Sequence, residues 1–473
     1  MKSREVYHQI ETATHIIRSL PAATLKGEMI VTGQSSPSAN SAPPYIRPLY
    51  RPAADGVVRL YAGDLSVTDH KGTTYQARGD LEFRFAPRPG FYAHLASDEQ
   101  WLFHLKWGTD VATIEPLAGA SLDPPTRSEL PARPEHLKYW ADRLFRISTL
   151  EAGDISNVHW LLIHVSGRLS DQLFPVCQTD AEEQGQLAFE LPSWKLRLAA
   201  ADEWREGEEF PFVIEAVPQN LPVTSEDAGQ LQRRLFLLLS FIAGREVELG
   251  ATAGLDSTGR VVWATWETPR IGTGQWRWCP DHLVNDALPE LARGFTQLAA
   301  DPTMEKVADR AINLNLTANG TQPLDVRIPV VASGLELVGW AVLQTQQWLT
   351  TDAVGKLNAA HMLRLLLQWA NISIDMPSSF TALEARRAAF NNQPDEAGPD
   401  LLTTLRNNLV HPPKKLAKLE WPTDDEMKQA WRLGMHYLEL VILRLLDYQG
   451  QYLPRLQLIN KWVTDTETVP WAK

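Results

Sequence analysis

The sequence predicts an α+β protein: a β-rich N-terminal half, sandwich- or barrel-like, followed by a C-terminal bundle of α-helices. Two observations carry this. Short alternating segments separated by Gly, Pro, Asp and Ser clusters fill the first half. At about residue 227 the apolar period changes from two to that of a helix, and from about 282 it stays helical almost to the end.

The strand signals come in order. "LEFRFA" (81–86) alternates Leu81, Phe83 and Phe85 with Glu82 and Arg84. "WLFHLKW" (101–107) puts Trp101, Phe103, Leu105 and Trp107 on one face. Segments 158–167, 210–217 and 260–267 are further strand candidates, and "GQSSPSANSAPP" (33–44) reads as a mobile loop. These suit an antiparallel sandwich or barrel. The domain plan is a β-rich sensing or regulatory region at 1–227, a connecting region at 228–281 and a helical domain at 282–473.

The helices have their own signatures. "AGQLQRRLFLLLSFIAG" (228–244) ends on Gly244, placed as a C′ glycine. Segment 330–349 carries Val331, Leu335, Val338 and Val342 on one stripe; 357–370 repeats the pattern with Leu363, Leu366, Leu367 and Ala370. At 422–431 Thr423 and Glu426 form a capping-box pattern, and Met427, Trp431, Leu438, Ile442 and Leu445 follow at helical spacing.

Composition narrows the class. The chain has 473 residues, 44% apolar and 22% charged, and its net charge of −12 argues against a broad nucleic-acid coat. Apolar runs such as "LFLLLSFIA" (235–243) are about half of what a bilayer span requires, and no apolar signal region opens the chain. Cys177 and Cys279 fit neither a disulfide framework nor a zinc site. A cytoplasmic protein without membrane contact is expected. No phosphate loop, dinucleotide loop, nucleophile elbow or metal-ligand constellation occurs, so neither cofactor nor metal is expected. His159 and His164 fall on opposite faces of a strand, and His361 reads as a packed core histidine.

One stretch has chemistry to offer: "TLRNNLVHPPKK" (404–415). Leu401, Leu402, Leu405, Leu409 and Val410 form a core stripe, with Arg406 and Asn407 off it. On a continuous helix Arg406 and His411 would point apart, about 140° of turn. Pro412 pushes His411 out of the helical region, so the helix must end at about Val410 and His411 is free to swing back beside Arg406. A fixed guanidinium, an amide and a titratable imidazole suit phosphodiester chemistry, and RNA brings its own nucleophile in the 2′-hydroxyl. Arg406, Lys414, Lys415 and Lys418 fall within thirteen residues that contain no acid, a local basic site for RNA. A solvated helix end would produce the same pattern, and "RWCPDH" (277–282) also spaces Arg and His alike.

"LRNNLVHPPKK", set between amphipathic helices near the C-terminus, resembles the signature of the HEPN superfamily (higher eukaryote and prokaryote nucleotide-binding domains). The match falls on Arg406, Asn407 and His411 within roughly 282–460. The resemblance implies a metal-independent endoribonuclease whose bundles pair, so that a homodimer lines one composite cleft with two motifs. It also implies an acidic or polar residue from an earlier helix, for which Glu336 is the candidate. A β-rich front half before this bundle is similar to anti-phage HEPN proteins of the ApeA type. The implied role is RNA cleavage, of tRNA or mRNA, in abortive infection or stress defence, set off by a phage or cellular trigger. Two alternatives stay open: a non-catalytic HEPN module that binds RNA or nucleotide or serves in dimerisation, and a ligand-binding β-domain protein with an incidental helical tail.

Overall fold

The computed structural model describes residues 24–31, 57–68, 74–84, 90–97, 110–116, 139–140, 145–147, 149–165, 186–200, 212–247, 249–267, 274, 276–389, 397–411, 421–457 and 465–472. They confirm an α+β chain: an antiparallel sheet first, helices after it. Two compact units divide it. One comprises 1–170, 197–228 and 248–270; the other comprises 171–196, 229–247 and 271–473. The expected connector at 228–281 is therefore shared, its helix going to one unit and its strands to the other.

The strands are β1 (Thr24–Val31), β2 (Val57–Thr68), β3 (Thr74–Arg84), β4 (Gly90–Ser97), β5 (Asp110–Pro116), β6 (Tyr139–Trp140), β7 (Phe145–Ile147), β8 (Thr149–Gly153), β9 (Trp160–Val165), β10 (Gln186–Leu191), β11 (Trp194–Ala200), β12 (Phe212–Pro218), β13 (Leu249–Leu255) and β14 (Val261–Glu267). Through the first unit their order is β12-β9-β13-β14-β8-β1-β5-β2-β3-β4-β6, with β7 bridging β1 and β4. Val57 pairs with Arg84 and Thr68 with Thr74, a long antiparallel hairpin of β2 and β3. Strands β3, β9, β12 and β14 lie where alternation placed strands; 101–107 and the 33–44 loop lie outside the described residues. Leu162, Val213, Ala253 and Leu255 form a buried cluster with Trp160 packed against it. In the second unit β10 is followed by a turn at 192–193, where Ser193 takes a left-handed φ of 67°, and by the start of β11.

The helices are α1 (Ser225–Ala243), α2 (Val284–Leu298), α3 (Pro302–Asn319), α4 (Leu324–Gln346), α5 (Thr351–Gly355), α6 (Ala359–Trp369), α7 (Thr381–Ala389), α8 (Gly398–Val410) and α9 (Asp424–Leu445). Two starts show a clear chemical cause. The Asp301 carboxylate accepts from the Thr303 and Met304 amides (2.9 and 3.2 Å). At α9 the Glu426 carboxylate accepts from the Thr423 amide at 2.7 Å while the Thr423 hydroxyl accepts from the Glu426 amide at 3.3 Å, a reciprocal capping box. α1 ends at Gly244, whose φ of +65° excludes a β-carbon cheaply. A β-carbon there would also meet the Trp276 carbonyl at 2.1 Å.

Helix α4 is the centre of the bundle and packs against α3, α6, α8 and α9. Val331, Leu335, Val338 and Val342 are buried as the stripe predicted, and so are Leu363, Leu366, Leu367 and Ala370 of α6. Gly334 and Gly339 let neighbours close in: a β-carbon would stand 3.1 Å from Leu438 and 3.0 Å from Met362. A central position explains why α4 is apolar nearly all round. By length and composition alone it could cross a membrane, at mean hydropathy 1.6, which corrects the expectation that every apolar run is too short; 61% of that window is buried inside the protein. His361 of α6 is exposed, not packed as expected. Cys279 is a buried free thiol, and Cys177 lies outside the described residues.

The deepest polar contact joins α9 to the chain that follows it. Arg455, 1% exposed, forks onto Glu439, 4% exposed, through Nε and Nη2 at 2.6 Å each. Arg455 Nη2 also donates to Asn319 Oδ1 at 3.0 Å, and Asn319 Nδ2 donates to the Gly244 carbonyl at 2.6 Å and to the Trp276 carbonyl. One network thus ties the ends of α1 and α3, the segment before α2, the middle of α9 and the C-terminal segment. Burial raises the Glu439 carboxyl, and the Arg455 charge pulls it down. Beside them Arg327 lies 3.9 Å over the Trp431 ring and donates to the Ala318 carbonyl at 2.6 Å.

Removing one partner should leave a buried uncompensated charge. Glu439→Gln should lower stability by about 3–5 kcal/mol, while Glu439→Leu combined with Arg455→Met should recover most of that loss. Urea unfolding followed by far-ultraviolet circular dichroism reads both; equal midpoints for wild type and the single variant would show that the pair does not hold the unit.

His436, buried beside Tyr437 and Tyr452, gives a pH signature. Burial, aided by the Arg455 charge, pulls its imidazole down to about 3. An unfolded histidine titrates near 6.5, so between the two values the unfolded chain binds the extra proton. Stability is complete above about pH 6.5 and falls as pH drops toward 3, by up to about 1.4 kcal/mol per pH unit. Melting temperatures across that window should decline more steeply in wild type than in His436→Gln; parallel curves would remove His436 from the account.

Candidate active site

Helix α8 runs from Gly398 to Val410 and stops there. His411 follows in extended conformation (φ −116°, ψ 109°), and its amide closes the last turn onto the Asn407 carbonyl at 2.8 Å. Proline at 412 is the local reason: it disfavours helical geometry at the residue before it. Leu401, Leu402 and Leu405 are buried. The stripe fades beyond them, with Leu409 half-buried and Val410 46% exposed, so the last turn of α8 projects from the core. That corrects the expectation that Leu409 and Val410 pack inward.

Three of the four expected site residues come together. Arg406 Nη1 donates to the Asn407 side-chain oxygen at 3.0 Å, and Nη2 lies 3.2 and 3.3 Å from the two carboxylate oxygens of Glu336 on α4. Seventy positions separate Arg406 and Glu336 in the chain. The pair is partly solvated, at 22% and 36% exposure. The expectation that His411 swings back onto Arg406 needs correcting. Its side chain is exposed, and among the described residues no hydrogen bond or ion pair joins its ring to Arg406, Asn407 or Glu336. An extended backbone at 411 sends the ring off the helix end, where it meets solvent. Lys414, Lys415 and Lys418 lie outside the described residues.

This arrangement can present a planar, permanently charged fork whose donors are shared between a carboxylate and an amide, with an exposed imidazole at the end of the same helix. Arg406 suits an incoming oxyanion, with Glu336 and Asn407 setting the plane of its guanidinium. Among the described residues no group of three or more His, Cys, Asp or Glu side chains is gathered about a metal position. The competing Arg–His spacing at 277–282 is structural: Arg277 is bound by both carboxylate oxygens of Asp281, and Trp278 beside it is a buried anchor against Phe241 and Tyr448.

Residues 301–468 match the YopA C-terminal domain family, and residues 218–278 match the YopA central domain family. The chain is 28% identical over 242 residues to the SPbeta prophage-derived uncharacterized protein YopA of Bacillus subtilis (strain 168). That alignment covers 50% of this chain and 52% of the relative, so the chain spans about half the length of the curated relative it matches. No solved structure matches. The stretch similar to the YopA C-terminal domain contains Glu336, Arg406, Asn407 and His411, together with Glu439 and Arg455. The likeness to HEPN proteins rests on the motif residues alone.

One neighbour escaped sequence reading. Trp340 stands one turn beyond Glu336 on α4 and is 49% exposed. Within an apolar stretch it reads as core; its i, i+4 relation to Glu336 is the signal that could have singled it out.

An ion pair this solvated contributes little to folding. Glu336→Ala should change stability by less than about 1 kcal/mol. A thermal melt checks it, and a large destabilisation would make the pair a tie between helices instead of a functional contact.

Proposed function

We propose that the end of α8 is the catalytic centre of a metal-independent endoribonuclease, acting in cytoplasmic defence against phage or stress. The observation that carries this is the gathering of Arg406, Asn407 and Glu336 at an exposed helix end, with His411 exposed just past it. In the proposed reaction His411 takes the proton of the RNA 2′-hydroxyl. The 2′-oxygen bonds to phosphorus, the bond to the 5′-oxygen breaks, and a proton is delivered to that leaving oxygen. The products are a 2′,3′-cyclic phosphate and a 5′-hydroxyl. Arg406 neutralises charge on the phosphoryl oxygens, and Asn407 and Glu336 orient its fork. Lys414, Lys415 and Lys418 add positive potential along the RNA.

Acid and base are needed at once, and one chain offers one imidazole at this motif. A homodimer meeting at its motif-bearing ends supplies the second. A prophage-derived relative supports a setting in conflict between phage and host. The second reading is a non-catalytic module that binds RNA or nucleotide; the observation favouring it is that, among the described residues, no hydrogen bond joins His411 to Arg406.

The decisive assay incubates the full chain with total RNA, with and without chelator. Wild type should cleave in both, His411→Ala should fold normally and lose cleavage, and Arg406→Lys should fail because a point charge cannot replace a planar fork. Excess His411→Ala chain should lower cleavage per wild-type chain as mixed dimers form. Cleavage by His411→Ala would end the catalytic assignment, and activity restored only by a divalent ion would end the metal-independent one.

A further inference from the structure

An exposed indole beside a guanidinium has two unlike surfaces to offer one ligand. Trp340 is 49% exposed, and among the described residues no hydrogen bond or ring contact engages it. It lies four residues after Glu336, so the two β-carbons stand about 6 Å apart on one face of α4. Glu336 in turn touches the Arg406 guanidinium at 3.2 Å. The indole and the Arg406 guanidinium thus both neighbour Glu336, one along α4 and one across from it.

Burying this ring was open to the protein and did not happen, although one face of α4 is packed throughout. Leaving a large apolar side chain in water forgoes about 1.5–3 kcal/mol. A lone exposed aromatic is common and needs no cause. The position decides: Ser333, Glu336 and Gln344 are polar neighbours on that side of the helix, while Leu337 is half-buried. The surroundings are those of a polar, cation-bearing site with a single flat platform in it. Every nucleobase has a face that can stack on such a platform, and the adjacent guanidinium matches the phosphate that the base carries.

We infer that Trp340 is a stacking platform for an unpaired nucleobase of the RNA held at Arg406, which makes the preferred substrate single-stranded. This rests on the ribonuclease reading for the identity of the ligand. Trp340 is a positioning residue: it holds the nucleotide in place and leaves proton transfer to His411.

Fluorescence anisotropy on the full chain tests it, with a labelled single-stranded oligonucleotide whose 2′-hydroxyls are methylated so that it cannot be cut. Trp340→Ala should weaken binding about tenfold, equivalent to about 1.4 kcal/mol, and Trp340→Phe should restore most of the loss. An oligonucleotide with abasic positions should bind wild type and Trp340→Ala alike, and so should a blunt duplex. If Trp340→Ala binds the single strand as tightly as wild type while wild type cleaves RNA, the platform is wrong and the ribonuclease stands. If wild type binds none of the oligonucleotides and cuts no RNA, both readings fall. If Trp340→Ala instead converts a wild-type dimer to monomer in sedimentation, with binding per chain unchanged, the indole is a protein contact and the inference is overturned.

Discussion

A guanidinium buried to 1% exposure cannot be left alone. Arg455 is such a group, and the helical unit is arranged to satisfy it. Glu439 supplies the opposite charge, while Asn319 takes a remaining donor and passes the network on to two backbone carbonyls. Those carbonyls belong to Gly244 and Trp276, at points where the chain leaves one element and approaches the next. Segments far apart in sequence are therefore joined through one set of buried hydrogen bonds. The same cluster forces His436 to stay neutral, because its ring is buried beside the same positive charge.

On that base α4 can be the hub. Small residues at Gly334 and Gly339 bring it close to α9 and α6, and its remaining side faces outward. Glu336 and Trp340 lie toward that outer side, a turn apart. α8 reaches it with Leu401, Leu402 and Leu405 in the core and its last turn projecting. The projection is what makes a site conceivable: it leaves Arg406 half-buried and oriented, and His411 exposed. The packing holds the guanidinium in place and leaves the imidazole exposed.

Much of this was legible. Alternation at 81–84, 160–165, 212–217 and 261–267 marked strands because a pleated backbone sends successive side chains to opposite faces. Apolar spacing and the Thr423–Glu426 box marked α9, and Gly244 closed α1, since each is a local consequence of backbone geometry. The end of α8 at Val410 followed from the prolines. By contrast, α4's full apolar length was misjudged, because Glu336 and the glycines interrupt the run in sequence while its burial depends on four neighbouring helices. His361 faced solvent for the same kind of reason: one apolar neighbourhood in sequence can lie on either side of a helix.

The sequence by itself determined the α+β class, the order of strands before helices, and the residues able to do chemistry at 406–411. These depend on period, turn chemistry and side-chain type, which are properties of short segments. Only the tertiary structure decided that Glu336 meets Arg406 across seventy positions, that His411 does not, and that Trp340 stands beside them in solvent. It also decided that Asn319, Glu439 and Arg455 form one buried network. Such contacts depend on how helices cross, and crossing is set by the packing of whole faces, which no single stretch of sequence contains.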